Sequence, residues 1–171
     1  MNSKTKLLTL TALFTAMVCV TTAFILHIPT ANGYIHIGDS IIYLASVILP
    51  FPCGMIAGAL GGGLSDLLSG YPAYILPTMI IKSLNSFCIY AIAKNEKNMF
   101  SVKSVIASIV SGIVTIVGYY ITAVILYGNP KAQLVEAIPN VIQAVASAII
   151  FWVLAFALDK ARIPAINSIR K

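Results

Sequence analysis

Residues 33–85 read GYIHIGDSIIYLASVILPFPCGMIAGALGGGLSDLLSGYPAYILPTMIIKSLN, and this stretch decides the fold. Among apolar residues, prolines and a glycine run it carries five polar side chains that belong poorly in lipid: His36, Asp39, Asp66, Lys82 and Asn85. A charged side chain costs roughly 2.5 to 3.5 kcal/mol at the centre of a bilayer, so such groups usually face a protein interior or a cavity. The stretch is therefore predicted to form much of a small-molecule site.

The composition is that of a polytopic membrane protein. Hydrophobic residues make up 59% of the 171 residues and charged residues 9%, and the mean hydropathy is +0.95, whereas soluble domains carry about 25% charged residues. The length suits about six spans of roughly 20 residues with short connections. Residues 1–171 are predicted to form a single transmembrane domain in a lipid bilayer, without a separate soluble domain.

The net charge of +6 is concentrated in three clusters and not spread over a face, so nucleic acid is not an expected partner. The clusters lie near the N-terminus, in the middle and at the C-terminus: Lys4 and Lys6; Lys94, Lys97 and Lys103; Lys160, Arg162, Arg170 and Lys171. Three cysteines, Cys19, Cys53 and Cys88, lack CxxC or Cys/His spacing, so neither a disulfide framework nor a metal site is predicted.

The apolar run 41–68 decides the topology. Pro50 and Pro52 remove two backbone donors and should break a single helix there. A hairpin of two short helices turning at residues 50–52 gives six spans, with all three basic clusters and both termini on the cytoplasmic side, as the positive-inside rule favours. A single span would send the 94–103 loop and the basic C-terminus outward. The predicted fold is therefore all-α, with six transmembrane helices and cytoplasmic termini, helices 2 and 3 forming the short hairpin.

The remaining spans follow from apolar runs and turn signals. The first span covers residues 7–26, longer than the apolar run of a cleavable signal peptide, and residues 27–38 form a polar connection able to fold over a neighbouring opening. Further spans are predicted at residues 73–93 and 104–127, then an outer loop at 128–137 and a last helix with Pro139 in its first turn.

Two carboxylates invite two interpretations each. Asp39 opens an apolar run, where Asp is a favoured N-cap, or it belongs to the site. Asp66 lies near the C-terminal end of its helix, where the macrodipole disfavours an anion, so it should need a cationic or hydrogen-bonding partner. Lys82 has a long enough stem to reach it. A purely structural Asp66–Lys82 pair and a substrate-contacting Lys82 both remain open.

The glycines Gly54, Gly58 and Gly62, spaced four apart, favour close helix packing. A phosphate loop is the other interpretation, but no G-x-x-x-x-G-K-[ST] is present, so the chain has no visible means of hydrolysing ATP.

Polar residues at helical spacing line the outer halves of the last three spans. They are Tyr74, Thr78, Lys82 and Asn85 on the fourth; Ser108, Gly112, Thr115, Tyr119 and Thr122 on the fifth; and Asn140, Gln143 and Ser147 on the sixth. Together they predict a pocket open to the outside and covered by the 27–38 connection. Its donors, acceptors and tyrosines, with little net charge, suit a small, flat, neutral heterocycle.

Three segments carry a resemblance to a known family: YIHIGD at 34–39, GGGLSDLLSGY at 61–71 and PTMIIK at 77–82. The whole chain resembles the substrate-binding S components of energy-coupling-factor (ECF) vitamin transporters, most closely the branch of the riboflavin, hydroxymethylpyrimidine and pyridoxine members. The resemblance implies a prokaryotic cell-membrane protein with six helices that topples in the membrane. It also implies a coupling subunit that docks on an Ala-xxx-Ala pattern, here Ala12 and Ala16, and two separate ATPases.

The same resemblance implies a pocket built from the first outer loop and the outer ends of helices four to six. Carried over by position, it assigns substrate binding to His36, Asp39, Tyr74, Thr78, Lys82, Asn85, Tyr119, Asn140 and Gln143. A pyridoxine or hydroxymethylpyrimidine cargo is favoured, because a small ring fits a modest pocket with one lysine and two amides; riboflavin is the alternative. No cofactor is expected.

Two other classes of protein are alternatives on the sequence alone. An intramembrane enzyme would need a catalytic constellation, and His36 with Asp39 and Asp66 is the candidate, without a second nearby histidine, an HExxH motif or a nucleophile motif. The chain is therefore not expected to be an enzyme. A self-sufficient small transporter or channel component would move substrate without ATPase partners.

Overall fold

The computed structural model describes residues 3–30, 33–164, 166 and 169. Arg170 and Lys171, part of the C-terminal basic cluster that is predicted to be cytoplasmic, lie outside the described residues. The described chain is almost entirely helical, and the predicted all-α class is confirmed. Its helices are α1 (Ser3–Ala23), α2 (Gly38–Ile48), α3 (Cys53–Ser69), α4 (Ile75–Ala93), α5 (Val102–Tyr127) and α6 (Pro130–Ala161). Two short strands, β1 (Ile28–Pro29) and β2 (Tyr34–Ile35), join α1 to α2, and a 3-10 turn at Pro72–Tyr74 precedes α4.

Four of these helices, α1, α4, α5 and α6, are long and apolar enough to cross a membrane. The other two, α2 and α3, are apolar but have 11 and 17 residues. Both are shorter than the roughly 20 residues that span a bilayer without tilting or thinning. Six spans and cytoplasmic termini therefore stay predictions.

The break between α2 and α3 lies where the prolines predict it. Helix α2 ends at Ile48 and α3 begins at Cys53, and Leu49 is extended with ψ of 145°. Nearly every residue of α2 is buried, because it packs against α1, α3, α4 and α6. A short helix enclosed in this way can carry a charged side chain that a lipid-facing helix would not tolerate.

The glycine face of α3 serves helix packing, as predicted. A Cβ built on Gly61 would lie 2.7 Å from Val18 Cβ and 2.8 Å from the carbonyl oxygen of Thr15, both on α1. A Cβ on Gly62 would lie 2.9 Å from Thr78 Cγ2 on α4. Helix α3 is thus wedged between α1 and α4, since glycine lets the backbones approach closely.

Gly61→Ala is expected to destabilise the protein by about 1 to 3 kcal/mol, because the added methyl group meets backbone and a β-branched side chain that have little room to move. Thermal unfolding in detergent would measure the change. Gly33→Ala is the control, since its added Cβ comes no closer than 3.9 Å to Thr30 Oγ1. Equal melting temperatures for Gly61→Ala and the wild type would contradict the close packing of α1 on α3.

The beginning of the last helix was predicted wrongly. Residues 130–137, expected in a loop, are the first turns of α6. Asn129 caps this helix by accepting a hydrogen bond from the Ala132 backbone N–H at 3.3 Å, and Pro130 occupies its first turn. Pro139, expected in the first turn, therefore lies inside the helix. Polar residues such as Lys131 indicate where the lipid-facing part of the chain ends, and this was interpreted as the end of the helix. A helix can, however, continue beyond the hydrocarbon core of the bilayer.

Candidate ligand-binding site

The connection between α1 and α2 forms a small β-hairpin over one end of the helices. Its strands pair antiparallel, Ile28 with Ile35 and Pro29 with Tyr34. The Tyr34 hydroxyl donates to Asp66 Oδ1 on α3 at 2.7 Å, and the Tyr71 hydroxyl donates to the carbonyl oxygen of Gly33 at 3.1 Å. Two tyrosines therefore hold the hairpin against the end of α3 and the turn that follows it.

A cavity of about 60 Å³ lies beneath this hairpin. Its walls come from the hairpin, from Thr22 near the end of α1, from the adjacent ends of α3, α4 and α5, and from α6. Among the predicted site residues, the cavity brings together His36, Tyr74, Thr78, Tyr119, Asn140 and Gln143. Further lining residues are Thr22, Thr30, Gly33, Tyr34, Ser65, Asp66, Tyr71, Ala123 and Pro139.

Tyrosine rings form a continuous aromatic wall of the cavity. Ring centroids are 5.3 Å apart for Tyr34 and Tyr71, 6.5 Å for Tyr71 and Tyr74, and 6.3 Å for Tyr74 and Tyr119. The Tyr119 hydroxyl is hydrogen-bonded to Thr78 Oγ1 at 3.0 Å. Aromatic faces beside hydroxyl groups suit a flat ring that carries polar substituents.

Below the cavity lies a buried ion pair between α2 and α4. Lys82 Nζ is 2.6 Å from Asp39 Oδ1, and both side chains are at most 1% exposed. Asp39 Oδ2 accepts a hydrogen bond from Gln143 Nε2 on α6 at 3.0 Å. One carboxylate thus connects three helices, and it orients the amide of Gln143, which lines the cavity.

The structure excludes one of the two interpretations of each carboxylate. Asp39 does not cap α2, because the N-cap residue is Ile37 and no side chain bonds there. Lys82 pairs with Asp39 and not with Asp66, since α2 packs directly on α4 and brings Asp39 to the ammonium group. The partner of Asp66 is instead the Tyr34 hydroxyl.

His36 anchors the hairpin to α6 and stays uncharged. Its backbone N–H donates to Gln143 Oε1 at 3.4 Å, and its ring Nδ1 accepts a hydrogen bond from the Gly38 backbone N–H at 3.1 Å. Burial lowers the pKa of His36 to about 3, with the positive charge of Lys82 acting in the same direction and the negative charge of Asp39 against it. The imidazole offered to the cavity is therefore neutral at physiological pH.

Three predicted site residues do not line the cavity: Asp39, Lys82 and Asn85. Asn85 is fully buried and faces α5. In the amide orientation that satisfies all its neighbours, its oxygen accepts from Thr115 Oγ1 at 2.7 Å and its nitrogen donates to the Ser111 carbonyl oxygen at 3.1 Å. Lys82 and Asn85 follow Thr78 along α4 and lie deeper than the cavity, and Asp39, expected in the covering loop, lies on α2.

Two lining tyrosines, Tyr34 and Tyr71, were not predicted as site residues. Both stand beside turns, in segments that also carry the family resemblance, and this position was the available signal. No group of three or more His, Cys, Asp or Glu able to hold a metal ion occurs among the residues described.

Helices apolar enough to cross a membrane enclose a small aromatic and polar cavity under a hairpin, an arrangement suited to a membrane protein that binds a small molecule. The family model described as ECF-type riboflavin transporter, S component, matches residues 2–160. A protein of Pyrococcus woesei, named "Uncharacterized protein in gap 3'region", is 33% identical over 144 residues, which cover 84% of this chain and 95% of that protein.

The chain belongs to the S-component family of ECF transporters. It is accordingly a membrane protein and a substrate-binding subunit for a vitamin-type cargo, and it is not an enzyme. S components of this family work with an energising ECF module.

Proposed function

We propose that this S component captures a single-ring vitamin or vitamin precursor of the pyridoxine and hydroxymethylpyrimidine class from outside the cell. It delivers the ligand by toppling in the membrane against a coupling subunit driven by two ATPases. The observation that carries the proposal is the cavity under the β-hairpin, with tyrosine faces, neutral polar groups and one carboxylate, Asp66, around a small space. Such a lining matches the polar edges and flat faces of one heteroaromatic ring.

The size of the cavity supports the smaller of two candidate cargoes. A cavity of about 60 Å³ would have to open less for one ring than for the three fused rings and sugar-alcohol chain of riboflavin. Riboflavin remains the second candidate, because the matching family model is described by that vitamin.

Ligand contacts are proposed for the cavity-lining residues His36, Tyr74, Thr78, Tyr119, Asn140 and Gln143. Asp39, Lys82 and Asn85 lie beneath these side chains and support them, which refines the assignment made from spacing. Gln143 is an example of this support: its amide nitrogen donates to the Asp39 carboxylate, and its amide oxygen accepts from the His36 backbone N–H.

Protein purified from cells grown in rich medium is expected to release a stoichiometric pyridine or pyrimidine when denatured, identified by mass spectrometry. Calorimetry with pyridoxine, hydroxymethylpyrimidine and riboflavin would then confirm the binding. A released flavin would assign riboflavin instead. An empty protein that binds none of the three would contradict vitamin capture and favour a channel component.

Energisation by separate ATPases is tested in cells. Uptake of the bound vitamin should disappear when the ATPase genes are deleted, while binding by the purified subunit is unchanged. Uptake that persists in the deletion strain would identify a self-sufficient transporter.

A further inference from the structure

Asp66 presents a weakly satisfied acceptor at the cavity wall. The residue is 4% exposed and lines the cavity from the end of α3. Its Oδ1 accepts the hydrogen bond from Tyr34. Its Oδ2 is buried and makes no hydrogen bond of good geometry among the described residues; the nearby Thr78 hydroxyl interacts with the carboxylate but is also hydrogen-bonded to Tyr119.

The surroundings of Asp66 compensate its charge only in part. The nearby ammonium of Lys82 is engaged by Asp39 at 2.6 Å. Asp66 also lies in the last turn of α3, which ends at Ser69 and is closed by the left-handed Gly70, and the helix dipole disfavours an anion at this end. Buried polar atoms are almost always hydrogen-bonded, so an exception at a cavity wall calls for an explanation.

We propose that Asp66 Oδ2 is the acceptor for an N–H or O–H group on the edge of the bound ring. The inference rests on the proposed function and narrows it to heteroaromatic ligands that carry an amino, ring N–H or hydroxyl donor. Tyr34 fixes the carboxylate from one side and leaves the second oxygen for the ligand. The amides of Asn140 and Gln143 line the same cavity and are available for other edges of the ring.

The central variant is Asp66→Asn, which keeps the shape and removes the charge. Calorimetry with pyridoxine, hydroxymethylpyrimidine and riboflavin should show that each probe bound by the wild type loses affinity by about 10- to 100-fold, the range expected for a hydrogen bond to a charged group. The ligand-free variant should melt at or above the wild-type temperature, because a buried and only partly compensated charge has been removed. Glu96→Gln, a carboxylate-to-amide change away from the cavity, should leave affinity unchanged.

The second part of the test uses a ligand analogue that lacks the hydrogen-bond donor. An O-methylated or deaminated analogue of the bound probe should bind the wild type weakly, and Asp66→Asn should weaken it little further. If Asp66→Asn fails to fold, Asp66→Ser serves for the same comparison. A folded Asp66→Asn protein that binds with wild-type affinity would overturn the inference. So would a result in which the variant and the analogue each lower the affinity independently, with their free-energy losses adding fully.

A wrong cargo assignment can be distinguished from a wrong role for Asp66. If the wild type binds none of the three probes, small molecules retained by wild type and Asp66→Asn from rich medium are compared by mass spectrometry. A compound retained by the wild type and lost by the variant would support Asp66 as the acceptor and reject only the cargo class. Equal retention, or no retained compound in either protein, would overturn the inference.

Discussion

Lys82→Met is expected to destabilise the ligand-free protein by about 3 to 5 kcal/mol, because it leaves a buried carboxylate without its cation. Asp39 and Lys82 are at most 1% exposed and their charged atoms lie 2.6 Å apart. Without Lys82, the described partner of the Asp39 carboxylate is the amide of Gln143, which cannot replace a positive charge. Chemical unfolding in detergent, followed by helical circular dichroism, would measure the loss.

Two further variants make this test specific. Lys82→Met combined with Asp39→Asn removes both charges and should recover much of the lost stability, since a buried pair replaced as a unit is often nearly neutral. Lys94→Met, at an exposed lysine just beyond the end of the same helix, should change stability by no more than about 0.5 kcal/mol. A Lys82→Met protein with wild-type stability but lost ligand affinity would show instead that the lysine contacts the ligand.

The chain of contacts from Lys82 to Asp39 to Gln143 explains why a lysine outside the cavity still bears on ligand binding. Asp39 holds the Gln143 amide nitrogen, so the amide oxygen is directed at the His36 backbone N–H and hence at the hairpin. Without the ion pair, Asp39 would be less firmly positioned, and its hold on the Gln143 amide and so on the hairpin that covers the cavity would weaken. Stability and affinity should therefore fall together in Lys82→Met, with stability the larger effect.

The helix break was predictable because it depends on local chemistry. Pro50 and Pro52 lack the backbone donors that a helix requires, whatever surrounds them. The polar faces of α4 to α6 were predictable for a related reason, because helical periodicity alone fixes which residues share a face. Five of the residues assigned to the site line the cavity from this part of the chain as a result: Tyr74, Thr78, Tyr119, Asn140 and Gln143.

The partner of Lys82 was not predictable in the same way. Spacing along α4 identifies a face, but the tilt and depth of the neighbouring helices decide whether Asp39 or Asp66 meets the ammonium group. Helix α2 is short and enclosed, and this tertiary placement brings Asp39 to the centre of the bundle. The start of α6 is different, since Asn129-Pro130 is a recognisable helix-start signal that the polar composition of the next residues obscured.

Ala12→Leu and Ala16→Leu are expected to reduce vitamin uptake to background while leaving ligand affinity unchanged. Both alanines are exposed on α1, whereas Phe14 and Val18 on the other face are buried in the bundle. The cavity is lined from α1 only by Thr22, one to two turns beyond Ala16. A small-residue face turned away from the core allows another helix to approach closely, so we propose it as the docking face for the coupling subunit.

Uptake in cells and calorimetry on the purified subunit would separate the two effects. Ala91→Leu, the same enlargement at an exposed alanine on α4, should leave both uptake and binding unchanged, because α4 is not part of the proposed docking face. Normal uptake in the α1 variants would place the contact with the coupling subunit elsewhere. Lost binding in those variants would mean that bulk on α1 disturbs the fold, through the close α1–α3 packing at Gly61.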